Sequence, residues 1–334
     1  IYALARTFPG TDSLIWIGAI MTAFPVFFAV IENDLRRVLS FSLNNQLGFM
    51  VVGIGIGTEL SLNGTVAHAF VHIIYKALLF MSMGAVLYRT GTTKASELGG
   101  LYKYMPLTTI FCIVGAMSIS AFPLFSGFVA KSLIMSSLGG AGMVLIYFVL
   151  FFASAGVLEH SGIKIPYFAF FAHERKTRVK EAPLNMLIAM GIAAFLCIGI
   201  GVYPRYLYQI LPYAVEYQPY TLDHVISQLQ LLVFAILAFL FLIKFKLYPS
   251  EIKSTVLNSD WFYRRMLPGI GRPFFKMVSN VIEKFYFNLA FVFNFLLGKS
   301  KKYNNSSFIK VTTPSFATLI LIIVLFIMLL IAVI

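Results

Sequence analysis

The chain has 334 residues, 59% of them hydrophobic and only 12% charged, with a net charge of +13. A soluble globular chain carries about twice that charged share, and apolar runs of about 18 to 21 residues indicate membrane helices instead. The alternating segments of an outer-membrane barrel are lacking, and the positive charge lies mostly between apolar runs, as topology signal and lipid-surface contact rather than nucleic-acid binding.

The chain opens at Ile1 with no signal pattern. Residues 1–10 read as the tail of a preceding helix, and the chain as part of a longer one. Span A runs from about Leu14 to Ile31, with Asp12 as its N-cap. Span B, Leu39 to Gly57, follows the loop Glu32-Asn33-Asp34-Leu35-Arg36-Arg37. Span C, Thr65 to Tyr88, carries His68, His72 and Lys76 at i, i+4 and i+8. That spacing puts three titratable side chains on one helix face, over roughly 12 Å. Ionisable groups inside a bilayer are costly and mark function by default.

Span D starts at Pro106, a favourable first-turn residue, and continues to Leu138, too long for one straight crossing of about 20 residues. Pro123 and Gly127 are the expected hinge, and Lys131 sits just past the break. Broken helices in membranes occur where protein or water satisfies the freed backbone, at ion and substrate sites. Span E is set at Gly142 to Leu158, with Glu159, His160, Lys164, His173, Arg175 and Lys176 in its exit loop. Spans F (Leu184–Tyr203) and G (Val225–Ile243) flank a tyrosine-rich connection suited to an interfacial belt. Residues 248–313 read as an amphipathic segment along the membrane surface, and 314–334 as a C-terminal transmembrane anchor. If span D crosses once, the basic loops all fall on one side and the opposite loops hold only Arg205, a positive-inside split. Cys112 and Cys197 read as small core residues. Thr65 and Ser126 read as packing hydroxyls, and Asn44, Asn45 and Gln46 as polar packing.

Three stretches carry a resemblance: Asn33-Asp34-Leu35-Arg36-Arg37-Val38-Leu39-Ser40 and onward to Gly48, His68-Ala69-Phe70-Val71-His72-Ile73-Ile74-Tyr75-Lys76, and Phe128-Val129-Ala130-Lys131. In this order and spacing they resemble the antiporter-like membrane subunits of respiratory complex I and of multisubunit Mrp-type cation/proton antiporters. The resemblance covers about residues 1–204. It implies an all-α polytopic membrane protein built on inverted five-helix repeats. This chain would hold the second repeat at 11–160, with its broken helix at 106–138, followed by two additional spans at 161–247. Ser132 stands where several complex I relatives have an acidic residue, which points toward the D-type antiporter members. The surface segment and final span point instead toward a complex I subunit with a lateral helix.

The functional expectation is proton passage along a hydrated axis through Lys76, His72 and His68 to Lys131, which gates exchange with one side. The charged form of a mid-membrane lysine costs about 2.5–3.5 kcal/mol on insertion scales, and histidine titrates near neutrality. The chain would serve a multisubunit energy-converting complex in an energy-transducing membrane, bacterial or archaeal, with other membrane subunits as partners. One alternative is a component of an Mrp-type Na+/H+ antiporter, powered by an ion gradient. Another is a structural membrane subunit with a vestigial channel. No nucleotide-binding, iron–sulfur or haem motif is read, and His160, His173 and His224 fit no zinc spacing. No catalytic, cofactor-binding or metal-ligating residue is therefore assigned. Redox chemistry, where the complex performs it, would reside on other subunits.

Overall fold

The computed structural model describes residues 1–172, 178–245, 247–248, 261–304 and 320–325. It divides into two units, Ile1–Val256 and Leu257–Ile334. Among the described residues there is no strand, only an isolated antiparallel bridge between Asp34 and Lys94.

In the first unit, α1 (Tyr2–Thr7) precedes α2 (Asp12–Ile31), α3 (Leu35–Ile56) and α4 (Glu59–Thr90). Thr11, not Asp12, holds the N-cap position of α2, and Asp12 lies in its first turn, where a carboxylate complements the helix dipole. Asp34 caps α3 through Arg36 N, so that span starts four residues earlier than hydropathy suggests. Thr58 caps α4, and left-handed Gly91 ends it. At 32 residues, α4 is about 48 Å long, well beyond the hydrocarbon core of about 30 Å. The near face is the side of the α2–α3 turn and the α4–α5 connection, the far face that of the α3–α4 and α6–α7 turns. On the near face, Asn33 bonds Ser96 through both ends of its amide, and Thr93 donates to Asp34. The loop motif thus locks the α2–α3 turn onto the chain that follows α4.

The long fourth crossing is broken as its proline implies. Helix α5 (Pro106–Ile119) stops, Ser120–Phe125 turn irregularly, and α6 (Ser126–Gly140) resumes. Pro123 offers no backbone donor and disfavours helix at Phe122. Ala121 and Leu124 take positive φ values of 56° and 72°, unusual for residues with a side chain. Ser118 and Ser126 bond across the gap at 2.8 Å. A methyl group at Gly127 would run into the Ser118 carbonyl oxygen, so only glycine lets α6 start this close to the end of α5.

Span E needs the largest correction. Helix α7 does not end at Leu158 but runs Val144–Phe171, a 28-residue apolar span. It passes straight through the expected 160/161 boundary. Two widened π-helical stretches, Leu158–Ile163 and Tyr167–Phe171, flank Lys164–Pro166. Pro166 cannot continue ordinary i→i−4 bonding, and the wider winding absorbs it. Glu159, His160 and Lys164 are therefore helical, not loop residues, and polarity alone misplaces them. Gly162 faces the break, where a side chain would strike Ser120 Oγ. His173, Arg175 and Lys176 lie outside the described residues.

Helix α8 (Leu184–Val202), short α9 (Arg205–Gln209) and α10 (Leu222–Lys244) complete the unit. Glu181 serves as the N-terminal partner of α5, accepting from Leu107 N and Thr108 Oγ1. The tyrosine-rich connection is only partly a belt. Tyr203 and Tyr206 are exposed, but Tyr208 donates to Val129 O of α6, and Asn63 of α4 pairs with the Tyr213 backbone in both directions. Among the described residues, six helices are long and apolar enough to cross a membrane: α2, α3, α4, α7, α8 and α10.

In the second unit, α11 (Leu267–Asn304) is one 38-residue helix. Phe274, Met277, Val281 and Phe285 share one stripe, opposite Arg272, Lys276 and Glu283. Of the expected anchor at 314–334, only 320–325 are described, and they are helical.

Candidate functional site

The four titratable residues singled out in the sequence are all turned inward. His68, His72, Lys76 and Lys131 are 0%, 7%, 4% and 4% exposed. Helical geometry stacks the first three on α4, with the His68 and His72 rings 6.3 Å apart between centroids. Tyr75 stands beside them, 5.4 Å from the His72 ring. Its hydroxyl donates to Gln46 Oε1 at 3.1 Å and lies 3.1 Å from His68 Nε2. His68 Nε2 is also 3.1 Å from Gln46 Oε1. Because a carbonyl oxygen only accepts, that last contact requires the proton on Nε2.

Gln46 is itself held. Its amide donates to Asn45 Oδ1 at 2.7 Å, and Asn45 in turn bonds Thr22 of α2 in both directions. Asn45 is the packing residue expected, whereas Gln46 addresses the histidine directly. No local pattern signals this, since α3 and α4 must dock before residues 46, 68 and 75 come together. Thr65 bonds the backbone of Met50 and Ser61, as a packing hydroxyl should.

Beyond these contacts the ladder is open. His68 Nδ1, His72 Nε2 and Lys76 Nζ are buried and have no hydrogen-bond partner among the described residues. Buried polar atoms are satisfied by protein or by ordered water, so this face of α4 suits a hydrated interior.

Lys131 is placed by the break. Its ammonium lies 3.4 Å from Ile119 O, at the C-terminal end of α5, and 3.5 Å from Ser154 Oγ on α7. A helix C-terminus presents unsatisfied carbonyls and the negative end of the dipole, so interrupting the helix gives this lysine a fixed counter-dipole. Gln228 of α10 covers the next freed carbonyl, Ser120 O. The Lys131 ammonium also sits 4.8 Å above the Phe49 ring, which stacks against His68 at 6.1 Å. One aromatic ring therefore touches both the ladder and the broken-helix lysine.

From Lys131 a cavity of about 490 Å³ follows α6 to Gly139 and Gly140 at the far face. Its polar lining includes Ser132, Ser136, Asp223 and His224. His224, read from sequence as a loop residue, stacks on Phe128 with centroids 4.7 Å apart. Hydropathy could not place it there, because α10 begins two residues earlier.

Two further buried basic residues escape the sequence reading. Lys164 is 0% exposed and donates to Val30 O at 2.6 Å and Glu32 O at 2.8 Å, capping α2. His160, one turn earlier on α7, is also 0% exposed. Cys112 and Cys197 are buried free thiols. Among the described residues, no three His, Cys, Asp or Glu side chains cluster as a metal site.

Residues 9–158 match the family described as NADH:quinone oxidoreductase/Mrp antiporter, TM. A Na(+)/H(+) antiporter subunit of Alkalihalophilus pseudofirmus, of the D type, is 33% identical over 225 residues, which is 63% of this chain and 45% of that protein. F(420)H(2) dehydrogenase subunit L of Methanosarcina mazei is 30% identical over 225 residues, 61% of this chain and 34% of that protein. Among solved structures, the membrane-bound sulfane sulfur reductase, an archaeal respiratory membrane complex, contains a chain with TM-score 0.59 at 22% identity. The match covers 94% of this chain and 55% of that one; at this identity it speaks for the fold. The chain spans less than half the length of the curated relatives it matches. Residues 9–158, which hold the loop motif, the α4 ladder and the broken-helix lysine, are thus similar to the antiporter-like membrane subunits shared by NADH:quinone oxidoreductases and Mrp antiporters.

Proposed function

We propose that this chain carries protons between the α4 ladder and the far face, as an antiporter-like subunit of a larger membrane complex. The observation that carries the reading is the placement of Lys131. It is buried at the end of α5, with the Phe49 ring touching both it and His68 and a polar cavity beside it. Lys76, His72 and His68 hold the proton in turn within the protein. Tyr75 and Gln46 fix the His68 ring so that its free nitrogen stays aimed along the route. Lys131 loads from His68 through water beside Phe49 and exchanges with the far face through the cavity.

Partner subunits, and an energy-transducing membrane of a bacterial or archaeal cell, belong to the same proposal. Similarity to subunits of multisubunit membrane complexes supports the partner subunits. The likeness to a component of a Na(+)/H(+) antiporter favours, as a second reading, exchange driven by an ion gradient alone.

The test is proton movement in vesicles containing the full-length protein in its native complex. Lys131→Ala is expected to abolish coupling while the complex still assembles. Wild-type coupling in that variant would overturn the proposal. Sodium-gradient-driven proton flux without any electron donor would select the second reading.

A further inference from the structure

The ladder as described has a far-face outlet but stops, toward the near face, at Lys76. Two further buried basic residues, His160 and Lys164, lie on α7. His160 is fully buried where the π-helical winding begins. Its Nδ1 is 2.8 Å from Ser161 Oγ. Its Nε2 is buried with no hydrogen-bond partner among the described residues. The large majority of buried side-chain polar atoms have a partner, so a ring nitrogen left alone this deep calls for an explanation. The charged groups that act on His160 are Lys76 of α4, Lys164 on its own helix and Lys131 of α6, with Lys76 foremost. Glu159 is its chain neighbour.

Lys164 is committed elsewhere. Its ammonium is spread over Ala29 O, Val30 O and Glu32 O at 3.5, 2.6 and 2.8 Å. That contact fixes this part of α7 against the α2–α3 turn. The turn's Glu32 is 1% exposed and pairs at 3.6 Å with Arg37, whose side chain is 32% exposed. His160 therefore lies about 6 Å, one helical turn, below a segment that reaches the near surface. His160 and Lys164, four residues apart, share one side of α7, and Gly162 lies against Ser120 Oγ at the break.

We propose that His160 is a further proton-carrying residue, linking Lys76 to the near face and completing a route from one side of the membrane to the other. The step is a proton transfer relayed by water, since neither nitrogen has a hydrogen-bond partner among the described residues: an N–H bond of the Lys76 ammonium breaks, one forms at His160 Nε2, and Lys76 is left neutral. Release toward the α2–α3 turn restores neutral imidazole. Lys164 is a positioning residue, holding α7 and the turn together. The inference rests on the proton-carrying reading above.

The experiment uses the full-length protein in its complex, reconstituted in vesicles, with assembly and proton flux measured together across pH. His160→Gln keeps a polar side chain but cannot carry a proton. It is expected to assemble normally and to lose flux by about a hundredfold, the scale of a positioned proton-transfer group. Full flux in His160→Gln beside abolished flux in Lys131→Ala would overturn this inference and leave the wider reading standing. Full flux in both would overturn the reading itself. Should His160→Gln fail to assemble, Ser161→Ala decides the matter, because it keeps the imidazole and removes only the Nδ1 partner. A displaced pH profile of flux in Ser161→Ala supports the proposal, and a profile identical to wild type overturns it.

Discussion

Lys76 and Lys164 are both lysines buried among membrane helices, and they differ in what their ammonium groups touch. Lys164 is wrapped by three main-chain carbonyls at the end of α2. Lys76 Nζ has no hydrogen-bond partner among the described residues. A buried cation whose donors are satisfied holds the fold together. One without fixed partners is costly to keep and is retained for what its proton does. Burial alone does not separate structural from functional lysines; the ligation of the ammonium does. Lys131 is intermediate, with two long contacts of 3.4 and 3.5 Å and an aromatic face.

The comparison can be broken most directly at Lys76. Lys76→Met is expected to cut proton flux by about a hundredfold or more, with thermal stability of the purified complex unchanged or raised. A stability loss as large as that of the Lys164 variant would remove the distinction. Gly127→Ala comes next. The added methyl meets the Ser118 carbonyl, so the break must re-form, and assembled protein is expected to fall severalfold on a detergent-extracted gel. Normal yield would mean that the two half-helices are loosely held.

Lys164→Met is expected to cost about 2–3 kcal/mol, since it leaves buried carbonyls unpaired. The readout is the thermal midpoint, and flux per assembled molecule should change far less than in Lys76→Met. Tyr75→Phe sharpens the picture with the smallest effect. It removes one hydroxyl from the His68–Gln46 contact, worth about 1 kcal/mol, and flux should fall only a few-fold. An unchanged pH profile in that variant would show that the orientation of His68 does not depend on Tyr75.

Much of this was legible in the sequence because the signals were local. The i, i+4, i+8 spacing of His68, His72 and Lys76 fixes their shared face without reference to any other helix. Pro123 within an overlong apolar run announces a break, and the residue past it is Lys131. What escaped was non-local or masked by polarity. Glu159, His160 and Lys164 look like a loop because three polar groups interrupt the hydropathy; the partners of Lys164 are backbone carbonyls of α2, more than 130 positions away. Gln46 looks like packing until α3 meets α4. The winding change in α7 has no simple sequence signature beyond Pro166, whose usual reading is a helix end rather than a bulge.

The junction between α5 and Lys131 has a mechanical consequence. The two half-helices meet there through the Lys131 ammonium and the Ile119 carbonyl at 3.4 Å, an attraction set by a single proton. On the proton-carrying proposal, loss of that proton would weaken the tie beside the turn at Ala121 and Leu124, and α6, held by contacts such as the Tyr208 hydroxyl on Val129 O, would be the element to move.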